Sequence, residues 1–379
     1  MRLVVLGLSL SSSWGNGHAT TYRALLRAFA ARGHDVVFLE REQPWYAAHR
    51  DLPRPDFCEL QFYGSVDDLL AYRREIEGAD VVMVGSYVPD GIEIGGLVQR
   101  TAGGATAFYD IDTPVTLATI ERGDCTYLTP ELIAGYGVYF SFTGGPTLGR
   151  LMERFGSPAA RALYCSVDET RYNSSGARPI YDLGYLGTYS PDRQPTLERL
   201  LIDPARRAPE RRFIVAGPQY PADIDWPANV ERRDHVPPGE HAAFYNACRY
   251  TLNVTRADMR RAGYSPSVRL FEAGACAAPI ISDDWRGLDE LFEPGSEIAI
   301  AGDATHVLAL LDADEASRRA MGRAAQARVL AAHTAAHRAR ELEQHLTAAT
   351  AATSRPRRTP VSEIRHPASP LLDLGKVAS

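Results

Sequence analysis

Residues Ser265–Ile298 read SPSVRLFEAGACAAPIISDDWRGLDELFEPGSEI, a pattern of helix, strand, loop and helix with one carboxylate, Glu272, inside the first helix. Ser265 suits an N-cap, and Pro266 suits the first helical position, where a missing N–H costs nothing. Val268, Leu270 and Phe271, followed by the small residues Ala273–Cys276, predict a helix that lies close against a sheet. Pro279–Ser282 predicts a short buried strand ending at Asp283-Asp284, and GLDELF predicts a second helix. A helix N-terminus beside a strand C-terminus is where α/β proteins hold phosphorylated ligands. Glu272 lies about two turns into an apolar helix, so it needs a hydrogen-bonding partner. A vicinal ribose diol, donating two hydrogen bonds, would be one.

Outward from this stretch the chain alternates strand and helix. In the first half, strands are expected at Leu3–Leu8, Asp35–Glu40, Ala79–Gly85, Ala105–Tyr109 and Gly137–Phe142. A helix is expected over Ala19–Arg32, closed by Gly33. The pattern breaks near Leu163–Asp168, and a polar stretch over Tyr172–Pro179 reads as a linker. It then restarts with strand Asp182–Ser190, helix Gln194–Leu201, strands at Arg212–Ala216, near Val230 and at Tyr250–Val254, and helix Glu240–Cys248. Such spacing predicts α/β architecture: two facing Rossmann-like domains with parallel sheets. The expected boundaries are 1–167 for the first domain, 168–330 for the second, a returning helix over 331–350 and a disordered tail over 351–379. The Ala/Arg/Glu-rich stretch Asp314–Leu346 reads as helix, broken near His333-Thr334.

Bulk composition removes several classes. With 379 residues and 45% apolar residues the chain can bury two cores. A formal charge of −6 provides no basic field for nucleic acid. No apolar run approaches a membrane span, and Met1–Gly7 reads as a first strand instead of a leader. Five scattered cysteines without a CxxC predict neither disulfides nor a zinc knuckle, which makes the cytosol the expected compartment. Lys376 is the sole lysine, so a Schiff-base or P-loop lysine is absent from the folded part.

The loop Trp14–Thr21 (WGNGHATT) contains a GxG, and the next strand ends in Glu40. A dinucleotide fingerprint would put its first glycine at the strand end, whereas Ser9–Trp14 intervene here and Thr20 replaces the third glycine. Asn16 and Gly17 still offer backbone and amide groups to a polar acceptor. His18 heads the following helix, where the dipole disfavours the imidazolium; it reads as a general base for a hydroxyl or as a capping residue. Asp110 and Asp112 follow an apolar strand and allow three roles: a metal-holding DxD, a phosphatase-type motif, or an aspartate orienting His18. Pro114 and the missing lysine weigh against the second role, and the third is favoured over a plain turn.

Arg193, Arg256, Arg269 and Arg286 are the cations nearest the expected phosphate site, with Arg269 also spaced to pair with Glu272 at i,i+3. His333 and His337 have the spacing of zinc-binding helices but lack a third ligand, so they read as structural.

The segments WGNGHATTYRALLRAFAARGHDV, LYCSVD and SVRLFEAGACAAPIISDD with GLDELF resemble GT-B glycosyltransferases over about residues 1–350. More narrowly, they resemble the group named for the spore-maturation protein CgeB, related to glycosyltransferase group 1. The resemblance implies an acceptor site on the first domain, a nucleotide-sugar donor site on the second, and a last helix that crosses back to the first. It implies that Glu272 matches the second glutamate of an EX7E motif and binds the donor ribose. The first glutamate would fall at Tyr264, a departure that leaves the sugar contacts and the stereochemistry open. His18 falls where inverting members of a different GT-B family place a base. The expected activity is metal-independent sugar transfer from a nucleotide diphosphate to an acceptor hydroxyl, with no cofactor beyond the donor. Ser265, Ser267, Gly187, Thr188 and an arginine would bind the diphosphate. A nucleotide-sugar epimerase of the same fold, or a non-catalytic nucleotide-sugar-binding protein, are the alternatives.

Overall fold

The computed structural model describes residues 1–14 and 17–353. Asn16, the expected tail beyond residue 353 and Lys376 lie outside the described residues. Seven strands form the first sheet: β1 (Arg2–Gly7), β2 (Asp35–Arg41), β3 (Glu59–Tyr63), β4 (Val81–Gly85), β5 (Ala105–Asp110), β6 (Val138–Ser141) and β7 (Ala160–Ala162). Their order is β3-β2-β1-β4-β5-β6-β7, and every pairing is parallel. Leu3, Val4, Val5 and Leu6 are all fully buried, as a strand covered by helices on both faces requires.

The second sheet holds β8 (Tyr181–Leu186), β9 (Phe213–Ala216), β10 (Val230–Arg233), β11 (Cys248–Asn253), β12 (Ile280–Ser282) and β13 (Ala299–Ile300). Its order is β10-β9-β8-β11-β12-β13, again all parallel. Strand order reverses between β1 and β4 in one sheet and between β8 and β11 in the other. At such a reversal the loops leave in opposite directions and open a crevice at the strand C-termini.

The expected helix over Ala19–Arg32 runs from Gly17 to Ala30. Three edge strands, β3, β7 and β13, were not expected: ELQFY carries the charged Glu59 and the polar Gln61, β7 spans three residues and β13 two. The opening segment needs two corrections. Its helix begins at Val268 with Ser267 as the N-cap, not at Ser265. GLDELF forms turns instead of a second helix, with Gly287 at φ +89°. Leu288, Leu291 and Phe292 are buried there all the same, so its apolar spacing serves the core without a helix.

Helices Glu315–Ala332 and Ala335–Thr353 are separated at His333-Thr334 as the sequence implied, but the second extends beyond residue 350. That last helix crosses back to the first domain: Ala339, Leu342 and Leu346 share a core with Leu25 and Phe29. Arg32 and His34 both bind Glu343, the latter at 3.1 Å. The halves are further joined by Thr143–Ser265 (2.9 Å) and by the Gly144 amide donating to the Tyr264 carbonyl (2.9 Å). Among the described residues no helix is long and apolar enough to cross a membrane.

Candidate functional site

A cavity of about 260 Å³ lies where the C-terminal ends of β1 and β8 face each other. Ser13, Gly17 and Thr20 line it from the first domain; Gly187, Thr188, Arg193, Arg269 and Glu272 line it from the second. Gly187 follows β8 directly. A Cβ there would stand 2.6 Å from the Tyr185 hydroxyl and 2.8 Å from Arg269 Nη2, so glycine is what lets the strand end approach the arginine.

Glu272 is 3% exposed and is not short of partners within the chain. Tyr172 donates to Oε1 and Tyr245 to Oε2, each at 2.8 Å, and His241 Nδ1 stands 3.8 Å from Oε2. Burial by itself would raise the carboxyl's pKa; His241 and the two hydroxyls more than reverse this and hold it below the usual range. The expectation that an apolar setting leaves Glu272 waiting for a ribose is therefore corrected. It is a hydrogen-bonded carboxylate on a cavity wall, each oxygen retaining further acceptor capacity. Tyr172, Tyr245 and His241 were not found by sequence reading, because they come from the linker and a short helix far from residue 272.

Arg269 does not pair with Glu272. Its Nε donates to the Leu186 carbonyl (2.6 Å), Nη1 to Asn253 Oδ1 (3.1 Å), and the guanidinium lies over the Tyr185 ring at 4.8 Å. Ser267 also donates to Asn253, at 2.8 Å. Ser265 is buried in the seam between the domains against Thr143, away from the cavity wall, which corrects its expected ligand role. Arg193 Nε is buried without a hydrogen-bond partner among the described residues.

The His18 ring is edge-on to Tyr87, with centroids 5.4 Å apart, while its neighbours Gly17 and Thr20 reach the cavity. Burial lowers its pKa to about 3, so the ring is neutral, as expected; desolvation is the cause. Asp110 is fully buried, and its carboxylate accepts from Tyr139, from Thr116 Oγ1 (2.9 Å) and from the Asp112 amide (3.1 Å). Burial outweighs these bonds and raises its pKa to about 6. Asp112 accepts from Tyr87 (3.1 Å) and faces Arg256 of the second domain at 3.7 Å. The aspartate expected to orient His18 is thus a structural anchor in one case. In the other it is linked to the histidine through Tyr87. A DxD holding a metal does not fit either, because the two carboxylates are spent on different partners. Among the described residues no cluster of three metal-ligating side chains occurs.

Tyr264, at the position of the motif's first glutamate, has φ +49°. Its ring packs against Gly145 and Gly287, and Arg286 lies over it at 5.4 Å. It belongs to the domain seam. Glu40 is likewise committed, accepting from the amides of Leu10 (2.6 Å) and Ser11 (2.8 Å), so it braces the first loop. His333 stacks on Phe271 at 4.8 Å and accepts from Arg338 (2.7 Å), the structural role expected of it, and His337 bonds Thr334 (2.8 Å).

Comparison with known proteins bears on this geometry. A family model described as glycosyl transferase-like matches residues 193–344, which include Arg193, Arg269 and Glu272. No curated protein matches the chain in sequence. Among solved structures, a sucrose-phosphate synthase from Thermosynechococcus elongatus superposes with a TM-score of 0.68 at 14% identity, covering 93% of this chain and all of that one. Anabaena HepE in complex with UDP and glucose gives 0.69 at 13%, covering 92% and 100%. An alpha-glucosyltransferase in complex with UDP-glucose and DNA containing an abasic site gives 0.70 at 12%, covering 92% and 99%. At these identities the likeness shows the fold: two parallel-sheet α/β domains in the GT-B arrangement, with the last helix returning to the first domain.

Proposed function

We propose that the chain is a glycosyltransferase that moves a sugar from a nucleotide diphosphate to an acceptor hydroxyl without a metal, of the CgeB-like kind its motifs resemble. The observation that carries this reading is the cavity between the two sheets, where Glu272, Arg193, Arg269 and the Gly187-Thr188 backbone meet the first-domain loop. The nucleotide belongs on the second domain, with its ribose hydroxyls against Glu272. As the diphosphate leaves, negative charge develops beside the N-terminus of the Val268–Ala275 helix and the two arginines. Donors already fixed in place stabilise that charge without reorganising. Arg193, with an unused buried N–H, is the group most in need of such an anion. Support also comes from the family model over 193–344 and from solved neighbours of the same fold whose structures hold UDP or UDP-glucose.

His18 is assigned the acceptor side. Its neutral ring can accept a proton from a hydroxyl, and the Tyr87–Asp112 bond steadies the ring beside it. The test is sugar transfer from a panel of nucleotide sugars to mixed hydroxyl acceptors, with the His18→Ala and Glu272→Ala variants alongside. His18→Ala should abolish transfer and spare nucleotide binding, while Glu272→Ala should chiefly weaken binding. Wild-type transfer rates in both variants would refute the assignment. Isomerised donor in the absence of acceptor would point to an epimerase instead.

A further inference from the structure

Tyr245 lines two cavities. One is the cleft described above. The other, of about 240 Å³, is bounded by the linker at Ser174, by Asn246, by the turn at Ala277 and by Arg318, Arg319 and Arg323 of the Glu315–Ala332 helix. Among the described residues no aspartate or glutamate lines this second cavity. Glu315, outside its wall, is shared by Arg318 and Arg319 (2.6 Å from the latter), and Arg323 has no ion-pair partner among the described residues. Three guanidinium groups set against one carboxylate leave a net positive field in a concave site, and guanidinium forks match phosphate oxygens in pairs. The wall is firm: Arg318 is 5% exposed and donates to the Arg249 carbonyl (3.0 Å), while Ser175 and Asn173 are tied to Asn246 (2.8 and 3.0 Å). Ala277 holds φ +53° on the same wall. A non-glycine residue in that region marks a turn whose shape the surroundings enforce.

We propose that this second cavity binds a small phosphate-bearing metabolite, and that Tyr245 transmits its occupancy to the cleft. Tyr245 forms part of one wall, and its hydroxyl holds Glu272 Oε2 in the other cavity. Displacing the ring shifts the hydroxyl that sets the carboxylate. Two ligands that favour different placements of one side chain change each other's affinity by the same factor. The site stands on its own geometry; the coupling rests on the donor reading of Glu272.

The test titrates the full chain with inorganic pyrophosphate by calorimetry, with and without saturating UDP. Pyrophosphate should still bind when UDP fills the cleft. Arg319→Ala/Arg323→Ala, at two exposed positions, should weaken that binding tenfold or more. Pyrophosphate should also change UDP affinity about fivefold or more, an effect lost in the double variant. Tyr245→Phe should lose it too, yet keep the second pyrophosphate site. Equal pyrophosphate binding by wild type and double variant overturns the site, and a change in UDP affinity that survives Tyr245→Phe overturns the coupling. If UDP does not bind, the coupling is read with whichever of guanosine, adenosine or thymidine diphosphate does; if none binds, the donor reading and the coupling fail, while the double variant still decides the pyrophosphate site.

Discussion

Tyr245 donates its hydroxyl to Glu272 Oε2 at 2.8 Å, and Tyr172 does the same at Oε1, so a single carboxylate both braces the second domain and faces the cleft. Glu272→Ala would leave the buried Tyr245 hydroxyl without an acceptor and Tyr172 with only His241 Nδ1, 3.2 Å away. An unsatisfied buried hydroxyl costs about 1–3 kcal/mol, so urea denaturation should show a loss of at least that order. Glu272→Gln keeps the shape and one acceptor oxygen and should lose less than half of that. Similar stabilities for the two variants would mean the tyrosines find other partners.

Asp112 of the first domain and Arg256 of the second face each other at 3.7 Å, with Arg256 itself 36% exposed. Solvent screening makes such a pair worth at most about 1 kcal/mol. Asp112→Asn keeps an acceptor for Tyr87 and should shift the urea midpoint little, yet lower the transfer rate through the His18–Tyr87 contact. A stability loss as large as that of Glu272→Ala would contradict this ranking.

His18 has its pKa lowered to about 3 by burial, so it is neutral through the whole working range. No acid limb near pH 6–7 in the kcat/KM profile should arise from it. The low basicity also limits the proton-transfer driving force available to a general base at this position. An acid limb near pH 6.5 that disappears in His18→Gln would show that the ring titrates where the geometry says it does not.

His333, packed beside both Phe271 and Phe292, also has its pKa lowered to about 3, by burial and then by Arg338. The unfolded histidine takes a proton below about pH 6.5. Between that value and about 3 the unfolded state therefore binds more protons, and stability falls as pH falls, by up to about 1.4 kcal/mol per pH unit. Asp110 acts in the opposite sense: raised to about 6, it favours the folded state below its unfolded value, a gain lost as pH rises toward 6. His333→Gln should flatten the acid limb of thermal stability measured from pH 4 to 7, and Asp110→Asn should steepen it. Unchanged slopes would refute both assignments.

The alternation of strands and helices was legible because β1 and β4 are apolar runs bounded by turn residues; Glu272 stood out as a lone carboxylate in an apolar helix and Gly187 as a small residue at a strand end, and both line one cavity with Arg193. The edge strands β3, β7 and β13 were not, since a sheet edge does not demand an apolar run. Nor were the partners of Glu272, because Tyr172 and Tyr245 meet it through tertiary contacts that no local spacing records. Tyr264 illustrates the same limit. Its motif position suggests a site residue, but a left-handed backbone and two facing glycines turn its ring into the seam. Tyr264→Glu should accordingly bring no gain in transfer and a lower melting temperature; a faster enzyme would show that position 264 reaches the sugar after all.

The most direct measurement is calorimetric titration of the wild-type chain with uridine, guanosine, adenosine and thymidine diphosphates, repeated on Arg193→Ala. At least one diphosphate should bind, and the substitution should weaken it tenfold or more, because Arg193 lines the cavity and carries a buried N–H without a partner among the described residues. Absence of binding by every diphosphate, or binding indifferent to Arg193→Ala, would contradict a nucleotide-sugar site in this cleft.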